Sequence, residues 1–146
     1  MSKRAKKTKP DQPCVQYGAL VWRRAKAELE VLLVTSRDTG RWIVPKGWPM
    51  HKRAPHRTAA LEALEEAGVV GKISPDAVGH FRYVKRLKDG VTRLCTVELF
   101  PLKAKEEHRR WREKDQRVRR WFPAAEAAEL VDEPELRELI LGFAPA

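Results

Sequence analysis

The sequence predicts an α/β domain with a mixed sheet packed between helices. Three observations carry that expectation. Short β-rich runs occur in pairs around tight turns, one clearly punctuated helix lies mid-chain, and the C-terminal end reads as helical.

Gly18–Arg23 and Leu29–Ser36 read as strands joined by the short polar link Arg24–Glu28. Val31-Leu32-Leu33-Val34 is continuous and apolar, as expected for a strand covered on both faces. Asp38-Thr39-Gly40 signals a turn, Trp42–Val44 a short strand, and Lys46–Pro55 a loop. The segment from Pro55 to Ala67 is the clearest helix, with Pro55 suited to its first turn and Gly68 to the left-handed position after its last. Val69-Val70-Gly71 leads out of it. His80–Leu87 and Thr92–Leu102 form a second predicted hairpin around Lys88-Asp89-Gly90. Lys103–Lys114 is charged and reads as a loop or a short exposed helix. Val118–Phe122 is a strand, and Pro123–Leu130 a short helix. Asp132-Glu133-Pro134-Glu135 resembles a capping box opening a helix through Leu141.

The 146 residues fit one domain, and 42% hydrophobic residues fit a globular one. Residues 1–13 are expected to be a disordered basic arm and 14–146 a single domain. Five of the 30 Lys and Arg fall in the first ten residues, which leaves 25 basic against 20 acidic side chains in the rest. Half of the +10 net charge therefore sits in the first ten residues, and the domain favours an anionic ligand only moderately. No run is long and apolar enough to cross a bilayer, and the N-terminus lacks the apolar stretch of a secretory signal. A cytoplasmic protein without a membrane partner is expected. Its two cysteines, Cys14 and Cys95, are then expected to be reduced thiols. The oligomeric state is not legible.

On a helical wheel Ala60, Leu61, Ala63, Leu64 and Ala67 share one side of the central helix, and Glu62, Glu65 and Glu66 the other. Like charges at these spacings cost a helix roughly 0.2–0.5 kcal/mol per pair. A hard divalent cation with oxygen ligands would account for them, and a solvated acidic face is the plainer alternative. Gly47, in the Pro-bounded loop ahead of the helix, and Gly68 behind it favour the cation.

The stretch Gly47–Val69 resembles the Nudix box, G-x5-E-x7-R-E-U-x-E-E-x-G-U with U apolar. Gly47, Glu62, Ala63, Glu65, Glu66, Gly68 and Val69 match seven of its nine defined positions across 23 residues. The run Ser36–Pro45, with Trp111, Arg117, Arg120, Trp121 and Phe122, is similar to the diphosphoinositol polyphosphate phosphohydrolase-like branch. The resemblance implies a Nudix-type α/β/α sandwich and a hydrolase of phosphoanhydride bonds that uses Mg²⁺, with Mn²⁺ as an alternative. It implies that Glu62, Glu66 and the backbone carbonyl of Lys46 bind metal. Glu65 is the implied general base and Glu62 the alternative. Thr35, Ser36, Arg37, Arg41 and Lys46 would contact substrate phosphates, with Lys85 and Arg86 as further candidates. Trp48 and Trp111 could stack on a base or simply pack.

Two box positions depart: Arg53 stands where the family has Glu, and Leu61 where it has the Arg that orients the carboxylates. Their joint loss reads as replacement of a supporting pair by another packing solution. Gln16 stands near where family members carry a basic phosphate-binding cluster, which shifts preference from inositol pyrophosphates to a diadenosine polyphosphate. The expected partner is thus an anionic phosphorylated small molecule. Three other readings stay open. One is a nucleic-acid-binding module built on the arm and Lys103–Arg120 with Trp111 and Trp121. The others are an RNA 5′-end pyrophosphohydrolase and a catalytically inactive nucleotide sensor.

Overall fold

The computed structural model describes residues 13–146. The expected arm therefore lies outside the described residues, except Pro13. The elements run β1 (Cys14–Ala25), β2 (Glu28–Thr35), β3 (Trp42–Ile43), β4 (Lys46–Gly47), α1 (Pro55–Ala67), β5 (Val69–Ile73), β6 (Gly79–Arg86), β7 (Thr92–Glu107), β8 (Arg119–Pro123), α2 (Ala124–Leu130) and α3 (Pro134–Gly142).

All eight strands belong to one sheet, ordered β3-β2-β1-β7-β5, with β4 on β1, β6 on β7 and β8 on β2. The sheet is mixed because β1 and β7 run parallel, from Cys14 beside Cys95 to Trp22 beside Lys103. The other pairings are antiparallel.

Strand alternation divides the core into two layers. Ala19, Val21, Leu32, Val34, Phe100 and Leu102 face α1 through Ala59, Ala63 and Ala67. Leu20, Val31, Leu33, Val97, Leu99 and Phe122 face α2 and α3 through Ala127, Leu136 and Ile140. The predicted sandwich is therefore the observed one, and the covered β2 run is buried on both faces because each layer takes alternate residues.

Four expectations need correction. Cys14 and Cys95 are not thiols but a disulfide, with Cα atoms 4.6 Å apart. The parallel register places them side by side although 81 positions separate them. Second, Lys103–Glu107 is neither loop nor helix. It continues β7, whose far end pairs with β5 from Val69 to Ile73. Third, no capping box forms: Glu133 is the N-cap of α3 but makes no side-chain cap bond. Its carboxylate receives Arg41 at 2.8 Å, while Glu135 receives the Arg82 guanidinium at 3.0 Å. Fourth, the wheel misplaces the carboxylates of α1, since Glu62 and Glu66 lie on its buried face with Thr58, Ala59, Ala63 and Ala67. Leu61 and Leu64 are only half-buried.

Candidate active site

The site grows from the seam between α1 and the sheet. Lys46 and Gly47 form the short strand β4 on the edge of β1, opposite Gly18 and Tyr17. α1 begins eight residues later, at Pro55. The i, i+4 spacing stacks Glu62 above Glu66 on the same buried stripe. Both line a cavity of about 700 Å³ whose other walls carry Arg37, Arg41, Lys46, Lys85, Arg86 and Trp48.

The turn after β2 is built by Ser36. Its Oγ pairs with Thr39 Oγ1 at 2.8 Å and accepts the Arg41 N–H at 3.2 Å. That turn carries Arg37, which donates to Gln116 at 3.0 Å, and Arg41, fixed by Glu133. The Lys46 ammonium lies 4.9 Å from the Tyr83 ring centre, and the Lys85 ammonium 5.6 Å from that of Trp48. Gln16 accepts a buried hydrogen bond from the Tyr83 hydroxyl.

The electrostatics are those of opposite charges held in a poorly hydrated space. Burial pushes the Glu66 carboxyl up to about 8; the Glu62 charge adds to this, while Arg117 and Lys46 oppose it. Burial lowers Lys46 to about 8, assisted by Arg41 and Lys85 and opposed by Glu66.

Two predicted residues lie elsewhere. Thr35 does not reach the cavity: its Oγ1 accepts the Val118 N–H at 2.9 Å. Glu65 is also absent from the lining, and its carboxylate meets Arg112 at 3.4 Å. Trp111 stands behind the helix end, with Nε1 donating to the Glu66 carbonyl at 3.1 Å and the Arg119 guanidinium 4.0 Å from its ring centre. Of the two tryptophans, Trp48 alone lines the cavity.

No family model matches the chain. "Nudix hydrolase 16, mitochondrial" of Arabidopsis thaliana is 31% identical over 119 residues, 79% of this chain and 66% of that protein. "Nudix hydrolase 21, chloroplastic" of the same plant is 30% identical over 118 residues, 80% of this chain and 57% of that protein. The chain belongs to the Nudix superfamily. It spans about half to two-thirds of the length of the curated relatives it matches. Likeness to the inositol branch is local: mouse "Diphosphoinositol polyphosphate phosphohydrolase 3-alpha" is 49% identical over 51 residues, 34% of this chain and 31% of that protein. The fold is shared with the Escherichia coli dihydroneopterin triphosphate pyrophosphohydrolase, at a TM-score of 0.67 and 20% identity over 88% of this chain and 93% of that one. A Caenorhabditis elegans Ap4A hydrolase complex gives 0.65 and 21% over the same shares.

Within this Nudix fold the donor set fits a hard divalent cation. Glu62 is 1% exposed and Glu66 5%, and Glu66 Oε1 is buried with no hydrogen-bond partner among the described residues. Among those residues no three His, Cys, Asp or Glu side chains are grouped to hold a metal. A metal here would depend on the two carboxylates supplemented by a backbone oxygen, and Lys46 lines the same cavity as both of them.

Sequence reasoning missed Glu113 as a site residue and noted Arg117 only as a point of resemblance. Both line the cavity, joined by an ion pair of 2.7 Å. Their i, i+4 spacing was the one available signal, and it looked like an ordinary surface pair.

Proposed function

We propose that this protein is a Mg²⁺-dependent hydrolase of a diphosphate linkage in a phosphorylated small molecule, a dinucleoside polyphosphate such as diadenosine tetraphosphate being favoured. The observation that carries this reading is the juxtaposition, in one cavity, of the buried pair Glu62 and Glu66 with the cations Arg37, Arg41, Lys46, Lys85 and Arg86. Carboxylates suit a metal, and the cations suit the phosphate oxygens the metal does not reach.

Mg²⁺, when bound, supplies charge neutralisation at the phosphoryl group and lowers the pKa of water. Glu66 and the Lys46 carbonyl would hold it, with Glu62 beside them. Glu62 lines the cavity, whereas the Glu65 carboxylate meets Arg112, so position supports Glu62 as acceptor of the proton of the attacking water. Arg37 and Arg41 project from a turn stiffened by Ser36, which favours a fixed phosphate geometry. Trp48 offers an indole at the cavity wall for a nucleobase.

The nucleic-acid reading is weakened because Trp111 packs against the end of α1 and Trp121 lies under Arg23, 4.1 Å from its ring centre. The test is a panel of nucleoside and inositol pyrophosphates assayed with Mg²⁺ and Mn²⁺, beside Glu66→Gln. Turnover of a dinucleoside polyphosphate, lowered roughly 100-fold by the substitution, is expected. No turnover on any member sinks the proposal.

A further inference from the structure

The box of this chain lacks its arginine, because Leu61 occupies that position and its side chain offers no hydrogen bond to a carboxylate. α1 has no basic residue in its last turn either, so the guanidinium that meets Glu66 comes from another part of the chain. Arg117, in the segment between β7 and β8, approaches it with a side chain only 8% exposed. Three contacts define its direction. Nε is 2.7 Å from Glu113 Oε1, Nη1 donates to the Thr35 carbonyl at 3.0 Å, and Nη2 lies 3.9 Å from Glu66 Oε2.

We propose that Glu113 and Arg117 form a positioning pair that replaces the missing support of the box: Arg117 holds Glu66 by one oxygen and leaves the other for the metal. The proposal rests on the diphosphate-hydrolase reading for its catalytic consequence, but its metal-binding consequence is independent of any substrate. Two observations converge on it. The guanidinium meets Oε2, while Oε1 is the oxygen buried without a hydrogen-bond partner among the described residues. Glu113 engages Nε and Thr35 engages Nη1, so each two-donor edge that includes Nη2 already has its other donor taken, which restrains Arg117 from closing onto both oxygens in the bidentate manner that would block a metal. At 3.9 Å the contact is an ion pair without a hydrogen bond.

The backbone supports this geometry. The Glu113 N–H donates to the Glu65 carbonyl at 3.0 Å, so the segment bearing the pair is fastened to the helix bearing the carboxylates. Arg117 acts through Glu66 and is a positioning residue.

The experiment is a Mn²⁺ titration of the full chain, read by electron paramagnetic resonance without substrate, on wild type, Arg117→Ala and Glu113→Gln. Steady-state kinetics on the substrate found above accompany it. Arg117→Ala is expected to weaken Mn²⁺ binding roughly 10–100-fold, the range for residues that orient metal ligands. Glu113→Gln is expected to weaken it several-fold, and both should lower kcat more than they raise KM. Unchanged Mn²⁺ affinity in a folded Arg117→Ala overturns the proposal, and so does a change confined to KM, which would make Arg117 a substrate contact. If circular dichroism finds Arg117→Ala unfolded, Glu113→Gln decides by the same titration. Wild type that binds Mn²⁺ but hydrolyses nothing defeats the proposed function while leaving this assignment to the titration.

Discussion

Gly68→Ala tests whether the end of α1, and with it the register of Glu65 and Glu66, is sealed by the segment after β7. Gly68 caps the helix with φ +66°, and its N–H donates to the Leu64 carbonyl at 3.0 Å. The carbonyls that follow are all satisfied from outside the helix: Glu65 by the Glu113 N–H, Glu66 by Trp111 Nε1, Ala67 by Arg119 and Gly68 by the His108 N–H. A methyl group at Gly68 would stand 2.6 Å from Trp111 Cδ2 and 2.8 Å from Arg119 Nη1. Left-handed backbone costs an alanine about 1 kcal/mol. Retreat of Trp111 adds about 0.5–1.5 kcal/mol for its hydrogen bond and about 0.5–2 kcal/mol for its stacking on Arg119. The total is about 2–4.5 kcal/mol, or a urea midpoint lower by about 1–2 M at a typical slope. Gly40→Ala is the control. It has φ +70° but meets nothing within 4 Å, so only the backbone cost of about 1 kcal/mol applies. Equal midpoint shifts for the two variants would refute the reasoning, because the excess at Gly68 is the part assigned to Trp111 and Arg119.

Other expectations follow from single contacts. Reduction of the Cys14–Cys95 bond, or Cys14→Ser, should destabilise by about 2–5 kcal/mol, since the bond closes a loop 81 positions long; an unfolding midpoint indifferent to reductant would contradict it. Tyr83→Phe removes the donor to buried Gln16 and should cost about 1–3 kcal/mol in urea unfolding, with no loss expected only if Gln16 finds another donor. Glu133→Ala should raise KM several-fold by freeing Arg41 from its 2.8 Å contact, and unchanged kinetics would show that Arg41 needs no such support. Hydrogen bonds from Arg82 hold the Glu135 carboxyl below its ordinary value of 4.5. That contribution is present above the unfolded pKa and lost as pH falls through the lowered one, so the difference between wild type and Glu135→Gln should shrink from pH 7 to pH 3. The pair is exposed, and a small difference is expected.

Local signals in the sequence were reliable where the deciding interactions are local. Pro55 and Gly68 bound α1 as predicted, because a proline without an N–H and a glycine free to turn left-handed act through their own backbones. The i, i+4 spacing of Glu62 and Glu66 likewise carries over into space, and with Gly47 they line one cavity. What the chain concealed depends on the parallel pairing of β1 with β7. That register joins Cys14 to Cys95, and it lays Gln16 on the strand next to the one that pairs with β6 and Tyr83. Neither relation has a sequence period. The charged stretch Lys103–Glu107 misled for a related reason: it is a strand whose partner, β5, lies over thirty residues upstream, and composition alone argued for solvent. Asp132-Glu133-Pro134-Glu135 has a capping pattern, but ion pairs with Arg41 and Arg82 use its carboxylates instead.

The burial of Glu62 and Glu66 on α1 is the most informative finding, because it changes the size of the problem the site has to solve. As an exposed stripe, three glutamates incur only the modest repulsion of neighbouring like charges. On the buried stripe Glu62 and Glu66 share a face with Ala59, Ala63 and Ala67, and those small side chains let the helix lie close against β1. Desolvation then becomes the larger cost, and it is the leading reason that the Glu66 carboxyl is pushed up to about 8. A helix stripe with two buried carboxylates is hard to explain as packing, since leucines there would serve the core better. The proposed function accounts for it: a cation drawn into the cavity would meet both carboxylates, with Lys46 and Arg117 supplying part of the compensating charge. Glu66→Leu should accordingly raise the urea midpoint of the metal-free protein while removing hydrolysis, measured on one preparation. A midpoint that falls instead would mean that the Arg117 and Lys46 contacts outweigh the cost of burying the carboxylate.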